Sequence, residues 1–192
     1  ERVAATVTGL LELLGVDADP LQSREHILLC AILEQAWQEG RGLDIAGLIE
    51  SVQEPPVRRV GVFDVETFFP AADRRALAMK LNTIVAAPAM KGWIEGEPID
   101  LDRMLRGGNG RPRIAIFSIA HLADRERMFF VTLLLLQVLA WTRAQSGTTS
   151  LRALLYMDEI FGYLPPVANP PSKAPLLTLL KQARAFWVGV VL

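Results

Sequence analysis

Cysteine is nearly absent from this sequence: Cys30 stands alone among 192 residues. One thiol excludes an intrachain disulfide framework and fits a reducing compartment, so a cytoplasmic location is expected. Histidine is almost as scarce. His26 and His121 are the only two, and without a companion cysteine or carboxylate cluster they make a poor metal centre. Net charge is lacking as well: 20 Lys and Arg against 21 Asp and Glu leave −1. That excludes a strongly basic nucleic-acid wrapper or an acidic tail for the chain as a whole. No basic leader precedes an apolar stretch at Glu1, so no signal peptide is visible, and no initiator Met stands there. Together with an apolar chain end, this suggests a piece of a longer protein.

Long apolar runs are also missing. The longest, Met128 to Trp141, is broken by Thr132 and Gln137 and falls short of the roughly 20 residues a spanning helix needs. Arg125, Glu126 and Arg127 crowd one end and Arg143 the other. The expectation is a helix buried in a domain, with no membrane span. There is no internal repeat and no low-complexity tract. What the chain does have is apolar content, 51% of residues, enough for a sizeable core and too much for disorder.

Two rhythms divide that content. From Val3 to Leu105 the spacing is helical. Val3, Val7, Leu10, Leu11 and Leu14 recur at helical intervals and stop at Gly15. Ser23 caps a helix from Arg24 to Glu39 that is expected to bury Ile27, Leu28, Ala31, Ile32 and Ala36. Asp44 starts a shorter helix through Gln53, and Pro70 opens one from Ala71 to about Ala87, with Leu77, Leu81, Ile84 and Val85 inward. Ile99 to Leu105 is a brief turn. These elements predict a small helical bundle over residues 1–106.

Beyond Gly107-Gly108-Asn109-Gly110 the pattern becomes strand, helix, strand, helix, strand. The strands are Arg113 to Ala120, Leu151 to Met157 and Val188 to Leu192; the helices are Asp124 to Ala144, capped by Asp124, and Ser172 to Phe186, capped by Ser172. Continuous apolar runs predict strands covered on both faces, and alternation with helices predicts parallel pairing. Residues 107–192 are therefore expected to form a three-stranded parallel α/β layer.

Leu154-Leu155-Tyr156-Met157-Asp158-Glu159 is the sharpest chemical feature. Four apolar residues set the strand in a core, and two carboxylates follow at its C-terminal end, where open α/β sheets bind ligands. In nucleotide hydrolases such a strand-end Asp holds Mg²⁺ and the next acid polarises the attacking water. The plain alternative is a strand that ends in two solvated acids. His26, beside Glu25, reads as solvated; His121 reads as structural or surface; Cys30 reads as a small core residue. Arg184 reads as a last-turn cation favoured by the helix dipole, with a trans-acting arginine as the other possibility. The Pro165 to Pro171 stretch is either a functional loop over the sheet edge or a rigid connector.

Asp158-Glu159 is followed by the Leu-rich stretch Leu176 to Leu180, then Gln182-Ala183-Arg184-Ala185 and Val188-Gly189-Val190-Val191-Leu192. Over residues 111 to 192 this order resembles the bacterial HerA/FtsK superfamily of P-loop ATPases, an internal portion lacking Walker A. The resemblance implies a partial RecA-like core, strands 2-3-4 of a 5-1-4-3-2 sheet, with Walker B at the middle strand. It also implies that residues 1–106 are the helical bundle such ATPases insert after the phosphate-binding loop. Position by position, Asp158 matches the Mg²⁺-coordinating acid and Glu159 the catalytic base. ATP and Mg²⁺ are then the parent's ligands, and the parent is implied to be a hexameric homo-oligomer acting on DNA.

Two departures accompany the resemblance. G-x-x-x-x-G-K-[ST] occurs nowhere in the chain, so the phosphate-binding loop is expected upstream of Glu1 and these residues alone are expected neither to bind ATP tightly nor to hydrolyse it. Trp187 stands where relatives usually carry Gly at a helix-to-strand turn, a position that serves a left-handed cap. Without its neighbouring strand, Val188 to Leu192 is an open edge expected to self-associate. A reading of another class stays open: a non-catalytic interaction module whose bundle binds a partner.

Overall fold

The computed structural model describes residues 2–106 and 110–192; the Gly107-Gly108-Asn109 part of the expected break lies outside the described residues. The chain divides into two compact units, 1–97 and 98–192.

The first unit is helical. Helix α1 (Arg2–Leu13) and helix α2 (Arg24–Gln38) end on the same device. Gly15 and Gly40 adopt φ of 71° and 67°. Val16 N then donates to Leu11 O, and Arg41 N to Ala36 O, at 2.9 and 2.8 Å, which satisfies carbonyls left over by each helix end. Ser23 caps α2 by accepting from His26 N at 3.3 Å. Asp44 caps α3 (Ile45–Gln53) by accepting from Gly47 N at 2.7 Å. The buried face of α2 is His26, Leu28, Leu29, Ile32, Leu33 and Ala36, rotated from the expected one, with Ile27 and Ala31 only half-buried. The sequence reading of His26 as solvated is thereby corrected: it is 2% exposed.

After α3 comes a hairpin that helical periodicity did not announce. Strands β1 (Arg59–Val60) and β2 (Phe63–Asp64) pair antiparallel around Gly61, whose φ is 61°. Asp64 caps the short α4 (Val65–Phe68), and Pro70 stands at the N-cap of α5 (Ala71–Ala86). Leu77, Leu81 and Ile84 are buried as expected, while Val85 is 40% exposed. Arg74 is the buried polar tie of this unit. It donates to Glu66 Oε2 at 2.9 Å, to Phe69 O at 2.7 Å and to Gln53 O at 3.4 Å. Helix α6 (Lys91–Glu95) follows.

The second unit opens with α7 (Leu101–Leu105), whose Leu101 belongs to this unit's core. Helix α8 (Asp124–Ala144) supplies most of that core through Val131, Leu135, Val138 and Leu139, joined by Leu176 and Leu179 of α9 (Lys173–Gln182). By length and composition alone α8 is apolar enough to cross a membrane. From Glu126 to Thr142, however, each residue is buried or half-buried. Its N-cap is Ala123, whose N–H donates to Glu126 Oε2 at 2.9 Å; Asp124 is the first helical residue and not the cap. Ser172 does not cap α9 through its side chain either. Its hydroxyl is fully buried and donates to Tyr163 O at 3.1 Å.

Strands β3 (Ala153–Tyr156) and β4 (Val188–Val191) pair parallel, Ala153 opposite Val188 through Tyr156 opposite Val191. Among the described residues this parallel sheet has two strands and not three. Arg113 to Ala120 forms no strand, and the nearby pairing is an isolated bridge between Arg106 and Pro112. The segment is held by side chains instead. Phe117 meets Phe130 of α8 with ring centroids 5.5 Å apart, and Ile119 packs on the core, while Ile114 and Ile116 are 89% and 86% exposed. The expectation of strands covered on both faces is corrected too. Leu155 and Met157 pack inward, whereas Leu154 and Tyr156 face outward, 57% and 65% exposed.

Candidate functional site

The β3–β4 ladder starts with Arg152 N donating to Trp187 O and ends with Met157 N donating to Val191 O, at 2.8 and 2.9 Å. Asp158 and Glu159 follow directly, so both stand at the C-terminal edge of a parallel pair. Each is exposed. Glu159 has φ of 64°, the left-handed region that disfavours a side chain bearing Cβ by roughly 1–2 kcal/mol. Such strain gathers at functional sites because neighbouring structure must hold it. It turns the chain sharply at the strand end.

The segment beyond Glu159 is fastened. Tyr163 N and Leu164 N both donate to Ile160 O at 2.9 Å. Lys173, at the start of α9, donates through Nζ to Ala168 O at 2.8 Å and Pro166 O at 3.3 Å. The Pro165 to Pro171 connection therefore hangs from the helix that crosses between the two strands, and Ser172 ties that helix back to Tyr163. One cation thus fastens the loop to the start of α9.

The donor chemistry of the pair fits Mg²⁺. Two adjacent carboxylates offer hard oxygens, and Mg²⁺ is usually held by one or two carboxylates while keeping several waters. Among the described residues no group of three or more His, Cys, Asp and Glu side chains converges, so this is not a full protein cage of the kind Ca²⁺ or Zn²⁺ takes.

Other sequence candidates lie elsewhere. His121 is exposed on the turn before α8. Arg184 is exposed in the 3₁₀ turn Ala183–Phe186. With Leu151, Leu180 and Trp187 it lines a shallow cavity of about 340 Å³. That cavity sits at the N-terminal end of β4. It runs along β4 as far as Val190, and neither Asp158 nor Glu159 lines it. Trp187 itself is left-handed, φ 56°, and its N–H donates to Arg184 O at 3.1 Å. The conformation that glycine serves is present, with tryptophan in it.

Charge divides with the units. Residues 1–97 hold 9 Lys and Arg against 15 Asp and Glu, net −6; residues 98–192 hold 11 against 6, net +5. The carboxylate pair is on the basic unit.

A group sequence reasoning missed lies in the first unit. His26 Nε2 is 3.1 Å from Thr8 Oγ1 and 3.3 Å from Ala4 O, and Nδ1 is 3.5 Å from Cys30 Sγ. The signal was present: His26, Leu29, Cys30 and Leu33 share one helical face. Burial lowers the basicity of His26, against smaller raising effects from Ala4 O and Asp19. Burial chiefly, with Glu34 adding, pushes the Cys30 thiol up to about 11. Cys30 is therefore a thiol and not a nucleophilic thiolate at neutral pH.

No protein-family model matches this chain, and neither the curated proteins nor the solved structures give a match.

Proposed function

We propose that this chain is part of an ATP-hydrolysing motor of the HerA/FtsK type, and that Asp158 and Glu159 are its Walker B pair. One observation carries the reading: a parallel β3–β4 pair, joined through α9, ends in two exposed adjacent carboxylates, the second on a left-handed backbone. Sheet edges of this kind are where α/β proteins bind ligands.

In this reading Asp158 holds Mg²⁺, and Glu159 orients a water for in-line attack on the γ-phosphate and accepts its proton. The bound metal would neutralise charge developing on the phosphate oxygens. The 192 residues contain no G-x-x-x-x-G-K-[ST], so turnover requires a phosphate loop supplied from outside them. The RecA-like arrangement is completed when Arg113 to Ala120 pairs along the free edge of β3. The parent is a cytoplasmic hexamer acting on DNA. By itself the chain self-associates through the edge Val188 to Leu192, where Val191 and Leu192 are each 43% exposed.

The test is made on the longer reading frame. A strand followed by G-x-x-x-x-G-K-[ST] upstream of Glu1 is expected, and Glu159→Gln in that protein is expected to abolish ATP turnover while ATP binding persists. An upstream sequence without such a loop, or unimpaired hydrolysis by the variant, overturns the assignment. The rival role, a bundle that binds a partner without chemistry, then takes its place.

A further inference from the structure

Helix α1 packs mainly against α2, which makes it a peripheral element of its unit. It buries Val7, Leu10 and Leu11 there. Its polar anchor is His26, 2% exposed. Ala4 O can only accept, so the proton of the imidazole lies on Nε2, which faces both Ala4 O at 3.3 Å and Thr8 Oγ1 at 3.1 Å. Nδ1 is then bare, and the Cys30 thiol, 3.5 Å away, is its donor. The neutral ring is fully satisfied: one nitrogen binds α1, and the other accepts from its own helix. A second tie, Arg2 over the Trp37 ring at 5.0 Å, lies apart from it.

A proton added to Nδ1 removes that balance. The new N–H points at a sulfur, a weak acceptor, and a cation is left in a site shut off from water. The charged groups of the packed elements give little relief. They are Arg2 and Glu12 on α1, Asp17 and Asp19 on the α1–α2 connection, Arg24, Glu25 and Glu34 on α2, Glu50 on α3 and Arg59 on β1. Of these, Asp19 alone acts on the ring, and its effect is smaller than that of burial.

We propose that α1 is a pH-released helix, docked on α2 by the neutral imidazole of His26 and undocked when that ring takes up a proton. The docked ring binds a proton less readily than the free one. Docking is thus whole above the ordinary imidazole value of about 6.5 and is lost as pH falls below it toward the ring's own lower midpoint. Within that window the open fraction of α1 rises up to about tenfold per pH unit, the limit for one proton.

The test is histidine NMR and amide exchange on the 192-residue chain from pH 8 to 4.5. His121→Gln leaves a single imidazole signal to follow. The expected result is a His26 midpoint below 6.5, with protection over Arg2 to Leu13 falling through the window while α5 keeps its own. His26→Gln, which carries no titrating ring, should flatten the pH response of α1. A midpoint at or above 6.5, or α1 and α5 losing protection together, overturns the proposal. Should His26→Gln not fold, the wild-type titration and exchange profile decide alone.

Discussion

The two units solve the same backbone problem with different residues. In residues 1–97 each described positive-φ position is glycine: Gly15, Gly40 and Gly61. In residues 98–192 Gly110 is joined by Glu159 and Trp187, which bracket the β3–β4 pair. The first unit buries Leu28, Leu29, Ile32 and Leu81 and exposes Val62, Phe63 and Met79 at its hairpin and on α5, whereas the second exposes Leu154 and Tyr156 of the parallel pair itself. Local choices that agree with one another mark a region built for stability. Departures gather where a site is being shaped.

The largest effect that sharpens this contrast comes from truncating the buried core of the first unit. Leu81→Ala, at a side chain with no exposure, should cost about 2–5 kcal/mol in urea unfolding. Arg74→Ala comes next. It removes the donors to Phe69 O and Glu66 and should cost about 1–3 kcal/mol, since a buried carbonyl loses its partner. The same change at the exposed Arg184 should stay within about 0.5 kcal/mol. Trp187→Gly should move the other way. Relief of the left-handed strain is worth about 1 kcal/mol of stability, and a loss there would mean that the exposed ring packs on something that compensates. The smallest effect is expected for Leu154→Thr on the open sheet face, within about 0.5 kcal/mol of wild type in urea unfolding. A large destabilisation would show that the face is covered.

How much of this was legible in sequence follows the same line. The helices of the first unit announced themselves because their signals are local: Ser23, Asp44, Gly15 and Gly40 act within a turn of where they stand. Strand pairing carries no local signal. Arg113 to Ala120 has the composition of a buried strand, but no strand edge lies near it in the chain, and Phe117 and Ile119 seat it against α8 and the core instead. The hairpin at Gly61 was too short for periodicity. His26 was misjudged from its neighbour Glu25, when its partners i+3 and i+4 decide a helical face. Asp158 and Glu159 were legible as a pair at a strand end, and that is where they stand. The left-handed turn at Glu159 was not, because glutamate gives no sign of it.

The role proposed for Glu159 is to act on a water beside a phosphate. ATP turnover and ATP binding measured side by side, in the longer protein proposed to carry a phosphate loop and in its Glu159→Gln variant, test this most directly. Turnover in the variant is expected to be lower by about 10²–10⁴-fold, the usual contribution of a positioned acid or base, with nucleotide affinity retained. Equal turnover in the two proteins would contradict it.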